Sequence, residues 1–372
     1  MSDNAALPEA DCAEGAPHPR LTPNLYGHEQ VEADVMEALT GGRRHHAWLL
    51  TGAQGIGKAT LAWRIARFLL AGADAPAEAG LFGDAPPPTN LDMDPEHPVA
   101  RRIAALSDPG CALIRRAWDP DRKRLKTQIT VEEVRKLNTF FGLSTTDGGN
   151  RVVIVDSADE MNVSAANALL KVLEEPPSRA ILLLISHQPA RLLPTIRSRC
   201  RVLRLSPLSP EDLSAAVTQA GFSVENQMAL TELAAGSAGD ALRLIAQDGV
   251  ELFGKLVKLL AGAPNMDRAA AGALAESVSA RGAEDKLVLM LRLFDLALVR
   301  LSRTAAGHAP MHQAAEGEMD AWAKLALAAS ARDWAELQQT ISQRLGHGLA
   351  VNVDAQSLLM DGFLKVNEVA RG

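Results

Sequence analysis

The chain has 372 residues, 47% of them hydrophobic and 22% charged, enough apolar material for two or three packed domains. Its formal net charge of -7 excludes a protein that coats nucleic acid by bulk attraction, although a local basic surface is still allowed. Aromatic residues make up only 4%, with a single Tyr, which argues against base-stacking platforms.

The opening stretch, MSDNAALPEADCAEGAPHPR, is acidic and rich in Ala and Pro. It lacks the basic start and apolar centre of a secretory signal and is expected to be a disordered tail over residues 1–20. No apolar run is long enough to span a bilayer, so no membrane contact is expected. Cys12, Cys111 and Cys200 are scattered with no CxxC pair, so neither a metal site nor a disulfide framework is expected. The expected compartment is a reducing cytoplasm.

After the tail, Val31, Val35 and Leu39 recur four apart and Gly41-Gly42 closes the run, which predicts a helix. Residues 47–50 predict a buried strand and residues 61–70 a second helix, with TGAQGIGKAT between them. Residues 71–110 hold Ala, Pro, Gly and Asp with little periodicity and read as a loop or insertion. Residues 101–126 are notably basic, and 129–137 start another helix. Residues 151–156 are a buried strand ending in an acid. Residues 165–174 are helical and stopped by Pro176-Pro177. Residues 181–185 and 201–205 are further apolar strands. Several apolar strands separated by helices imply a parallel sheet covered on both faces. After residue 210 the strands stop. Short helices are expected over 211–248, and from 250 onward the pattern is wholly helical. One apolar stripe contains Leu287, Met290, Leu291, Phe294, Leu298 and Leu301, and another Leu358, Leu359, Phe363 and Val366.

The segment from Gly52 through Gly55 and Gly57 to Lys58 fits G-x-x-x-x-G-K between a strand and a helix. Its glycines let backbone N–H groups converge on phosphate oxygens at the positive end of the following helix, and Lys58 would sit against the outer phosphates. The motif is incomplete. The hydroxyl that should hold Mg²⁺ is replaced by Ala59, and Thr60 comes one position late, rotated by about 100° around the helix. Asp156 ends its strand where a metal-side acid is expected. The next residue is Ser157, which cannot act as a base at neutral pH. Asp159 and Glu160 read as helix-start residues.

The run Asn167-Ala-Leu-Leu-Lys-Val-Leu-Glu-Glu-Pro-Pro177, with Thr195-Ile-Arg-Ser-Arg-Cys200, resembles the AAA+ subunits of bacterial clamp loaders. The likeness covers roughly residues 22–245, and within that family the chain is most similar to the delta-prime type. It implies an AAA+ P-loop α/β domain over 21–206, a small helical lid over 207–248 and an all-α collar for oligomerisation over 249–372.

It also implies residue roles. Lys58 matches the P-loop lysine, Asp156 the metal-side acid and Ser186 the first sensor. Arg199 matches the arginine that reaches into the next subunit's ATP site. Gly239 stands where hydrolysing members carry a second sensor arginine. Arg243 lies nearby, one helical turn further on, and is not given that role. The small four-cysteine zinc module of many relatives has no counterpart over 71–110, so no zinc is expected.

The function implied is that of a stationary subunit of the DNA polymerase III clamp loader, working with motor ATPase and delta-type subunits to place the sliding clamp on primed DNA. No intrinsic ATPase activity is expected, whether ATP or ADP is bound without hydrolysis or not at all. Three alternatives stay open on the residues alone: a motor-type ATPase in which Thr60 supplies the missing hydroxyl, another AAA+ DNA-processing ATPase, or a plain interaction scaffold with no role in any ATP site. The arginines of 101–126 and 191–204 are equally compatible with tracking a DNA backbone, with subunit contacts and with solvated faces.

Overall fold

The computed structural model describes residues 8–12, 16–41, 45–72, 88–142 and 149–371. In chain order, α1 (Glu29–Thr40) leads to β1 (Ala47–Thr51), the glycine loop and α2 (Lys58–Leu70). Then come α3 (Pro98–Ala104), β2 (Cys111–Ile114), and a small hairpin of β3 (Trp118–Asp119) and β4 (Arg124–Leu125). The unit continues with α4 (Val131–Gly142), β5 (Arg151–Val155), α5 (Val163–Glu174), β6 (Ala180–Ser186), α6 (Pro194–Arg197), β7 (Arg201–Arg204) and α7 (Pro210–Gln219).

The main sheet has the order β2-β5-β6-β1-β7 and is parallel throughout. Both faces are packed, so β1 and β6 are buried along their whole length, as their unbroken apolar runs require. One core lies on the side of Trp48, Trp63, Ile65, Val152 and Leu183. The other lies on the side of Leu49, Val153, Leu169, Leu182 and Ile196. α5 shows how local chemistry sets an element. The Asn162 side chain accepts from the Ala165 N–H at 2.8 Å to start it, Leu169 and Leu173 face the core, and Pro176-Pro177 follow its end.

These elements form one compact unit that runs to Gly221 and takes in Ser237–Gly239. A second unit comprises Phe222–Gly236 and the chain from Asp240 onward. It is all helical: α8 (Gln227–Ala234), α9 (Ala238–Ala246) from Asp240 onward, α10 (Gly249–Ala261), α11 (Arg268–Ser279), α12 (Glu284–Ala305), α13 (Glu318–Ala326), α14 (Ala331–Ala350) and α15 (Ala355–Val369). The residues expected to form one lid are thus divided, with α7 in the first unit and α8 in the second.

The α/β class and the helical C-terminal part are those expected from the sequence. Four differences stand out. Residues 8–12 and 16–20, expected to be part of a disordered tail, are engaged with the first unit: Glu9 pairs with Arg20 and Arg115 at 2.8 and 2.9 Å, and Asp11 lies 3.0 Å from His18. Acids and bases clustered in this way hold a segment that composition alone reads as unfolded. The rest of that tail, and residues 73–87 of the expected insertion, lie outside the described residues.

Second, α3 falls inside the 71–110 stretch, started by the His97 side chain and Pro98. Third, β2 and the hairpin occupy a region whose arginines mask its short apolar runs. Fourth, the two apolar stripes of the second unit meet each other, with the Phe294 and Phe363 rings 5.1 Å apart. The buried face of α12 is centred on Leu289, Met290, Leu293, Phe294, Ala297, Leu298 and Leu301, while Leu287 and Leu291 are only half-buried.

Candidate functional site

In a parallel sheet, ligand-binding loops gather at the carboxyl ends of the strands. β1, β5 and β6 end there at Thr51, Val155 and Ser186, and Thr51 lies directly beside Ser186 in the register. The glycine loop leaves β1 with Gly52, Gly55 and Gly57 all at positive φ, 141°, 77° and 105°. A side chain at Gly52 would meet the Leu205 carbonyl oxygen at 2.5 Å, so glycine is required by space as well as by conformation.

Lys58 opens α2 and is 3% exposed. Its Nζ donates to the carbonyl oxygen of Gly52 at 2.8 Å and to that of Ala53. Burial pushes the ammonium down to about 8, against the opposing pull of Asp156 and Asp159. Asp156, just past β5, is buried, and its carboxyl is pushed up to about 7. Desolvation is the main cause, the neighbouring Asp11 carboxylate adds to it, and the Ser157 hydroxyl and Lys58 oppose it. The structure therefore brings Lys58 and Asp156 together in one buried cluster.

Ala59 packs against the core cluster around Trp63, and Thr60 is half-buried on α2. Ser186 is fully buried, and its hydroxyl has no hydrogen-bond partner among the described residues. Arg199 is not part of this cluster. It follows α6, is 36% exposed, and donates to Glu174 Oε1 at 2.8 Å and to the Thr195 carbonyl at 3.0 Å.

His187 and Ser237 join the cluster although neither stands out in the sequence. Ser157, at φ 58°, places its Oγ 3.3 Å from Asp156 Oδ1 and 3.3 Å from His187 Nε2. The His187 N–H donates to Asp159 Oδ1 at 2.9 Å, so Asp159 serves the strand end as well as its own short helical turn. From far along the chain, Ser237 Oγ donates to the Gln54 carbonyl at 2.8 Å and the Gly239 N–H to the Gly55 carbonyl at 3.0 Å. These two bonds clasp the glycine loop. None of these contacts leaves a sequence signal, because each joins residues distant along the chain or depends on a backbone turn.

This cluster does not fit a magnesium nucleotide undergoing hydrolysis. The metal hydroxyl is missing at Ala59, and the water-orienting carboxylate is replaced by Ser157. Among the described residues no group of three or more His, Cys, Asp or Glu is placed to hold a metal ion.

Part of the charge in the basic stretches is engaged within the first unit. Arg102 pairs with Asp108 at 2.8 Å, Arg115 with Glu9 and Asp11, and Arg116 with Glu160 at 2.7 Å, while Arg201 stacks 5.1 Å over Trp48. No helix among the described residues is long and apolar enough to cross a membrane.

Comparison with known proteins gives this geometry its context. Residues 27–209 match the family described as DNA polymerase III, delta subunit. The chain is 40% identical to the DNA polymerase III subunit delta' of Pseudomonas aeruginosa over 204 residues, 54% of this chain and 56% of that protein. It is 32% identical to the Escherichia coli subunit delta' over 237 residues, 61% of this chain and 62% of that one. The matches thus span less than two thirds of these relatives' length. Among solved structures, a DNA polymerase III gamma subunit-related protein of Thermotoga maritima shares 18% identity at a TM-score of 0.39, covering 91% of this chain and 100% of that one.

Proposed function

We propose, from its similarity over residues 27–209 to the family described as DNA polymerase III, delta subunit and from its likeness to two delta' subunits, that the chain is the stationary AAA+ member of a clamp loader and lends Arg199 to a neighbouring ATPase subunit. The observation that carries this is a contrast within the first unit. The home site lacks the groups that hold metal and orient water, while Arg199 stands at the surface with its guanidinium fixed at two points. Arginine suits this role because its planar fork stays charged and meets two phosphoryl oxygens at once as charge develops on them.

In this reading the chain turns over no nucleotide itself. Its partners are motor ATPase and delta-type subunits, and through the assembly the sliding clamp and primed DNA. Reconstitution with the motor and delta-type subunits tests it. Arg199→Ala should cut ATP hydrolysis at the adjoining motor site by about a thousandfold, as loss of a trans arginine does in other phosphoryl-transfer systems. Unchanged single-turnover hydrolysis at that site would overturn the proposal.

A further inference from the structure

We infer that Glu174 is a positioning residue for Arg199, holding its guanidinium ready for the neighbour's triphosphate; this rests on the reading of Arg199 as acting in trans. Glu174 is the last residue of α5. A carboxylate there sits at the negative end of the helix dipole, where an acid is disfavoured and a cation preferred. Its side chain is 51% exposed, so the ion pair with Arg199 adds little to stability. Neither helix formation nor folding accounts for an acid at this place.

The geometry does account for it. Arg199 Nη2 donates to Glu174 Oε1 at 2.8 Å, and Nη1 donates to the Thr195 carbonyl oxygen at 3.0 Å. The second anchor is itself steadied, since Ser198 Oγ donates to the same Thr195 oxygen at 3.1 Å. A guanidinium has five N–H donors, and two contacts on different nitrogens fix its plane. The remaining donors, including Nε–H, have no partner among the described residues and stay available for a phosphate. A long side chain that would otherwise sample many rotamers is thereby presented in one orientation before the neighbour arrives.

The carboxylate can instead be imagined as a lock that withholds the arginine. The two roles predict opposite signs. A positioning Glu174 makes the rate fall when it is removed, whereas a lock makes it rise.

The experiment uses the full chain in the reconstituted loader, with single-turnover ATP hydrolysis stimulated by primed DNA and clamp. Glu174→Ala should lower kcat about tenfold with KM for ATP unchanged, because a misplaced group costs rate without changing ground-state binding. Glu174→Gln keeps an acceptor oxygen and should recover most of the rate, a rescue that a purely electrostatic role would not give, while a folding role would show as a lowered denaturation midpoint in Glu174→Ala. Arg199→Ala with Glu174→Ala should be no slower than Arg199→Ala alone. An unchanged or raised kcat in Glu174→Ala, with Arg199→Ala still defective, would overturn this inference and leave the reading of Arg199 standing. An Arg199→Ala loader of normal rate would overturn both.

Discussion

The N–H of Gly239 donates to the carbonyl oxygen of Gly55 at 3.0 Å, and a methyl group built on Gly239 would lie 2.9 Å from the Gly55 Cα. Two backbones meet here with no room for a side chain. Gly239→Ala should therefore lower stability by about 1–3 kcal/mol, the usual cost of overpacking, despite alanine's better helix propensity. Gly55→Ala should cost more, since Gly55 also sits at φ 77° and its added carbon would meet Ser237 Oγ at 2.4 Å. Chemical denaturation of the two variants checks the order. The same contact means that an arginine cannot be introduced at position 239 without opening the loop.

The buried pair behind that loop makes stability depend on pH in a definite direction. An unfolded aspartate ionises near pH 4. Asp156 in the fold keeps its proton to about 7, so between those values the folded chain binds more protons and stability falls as pH rises. Lys58 acts oppositely. It loses its proton at about 8 in the fold but only near 10.4 when unfolded, so stability rises with pH across that window. The two contributions place a trough between about pH 7 and 8. Asp156→Asn removes the acid limb, so its urea midpoint should gain on the parent's at pH 8 and not at pH 4. Equal differences at both pH values would contradict this.

Ser186 gives a separate test of whether the home site is used. Its hydroxyl is buried with no hydrogen-bond partner among the described residues. Ser186→Ala removes an unsatisfied polar group and should raise stability by about 1 kcal/mol, read from denaturant midpoints. In the reconstituted loader it should leave ATP turnover unchanged if, as proposed, the chain hydrolyses none itself.

The frame of the first unit was legible because each of its long strands is a short apolar run with a turn or helix on either side. The residues 181–185 and 151–156 could be placed with no knowledge of their neighbours. β2 was not, because Cys111–Ile114 is followed at once by Arg115 and Arg116, whose partners Glu9, Asp11 and Glu160 come from elsewhere in the chain. The glycine loop and its missing hydroxyl could be read directly. The clasp from Ser237 and Gly239 could not, since nothing in a Gly-Ser-Ala-Gly run says what it touches. Glu174-Glu175 reads only as the end of a helix until Arg199, 25 residues later, is found against the first of them.

The second unit holds a buried ion pair whose loss should be the most damaging single change there. Glu318 is fully buried, and both its oxygens are used. Oε1 accepts from Arg300 Nε at 2.6 Å and Trp322 Nε1 at 2.8 Å, and Oε2 accepts from the Ala314 N–H at 2.6 Å and Arg300 Nη2 at 3.2 Å. Arg300 also reaches Glu232 at 2.9 Å and the His312 carbonyl at 2.9 Å. Glu318→Ala strands the indole and amide donors and leaves the guanidinium with Glu232 as its one carboxylate among the described residues. The cost should be about 3–5 kcal/mol, as when one partner of a buried pair is removed. Glu318→Gln keeps an acceptor for Trp322 and should cost less. Arg300→Met with Glu318→Ala should cost less than the two single changes summed, because the second removes a charge the first has already left unpaired. Additive losses in a denaturation cycle would mean that the two residues stabilise the helices independently, and that the pair is not the unit that holds α12 to α13.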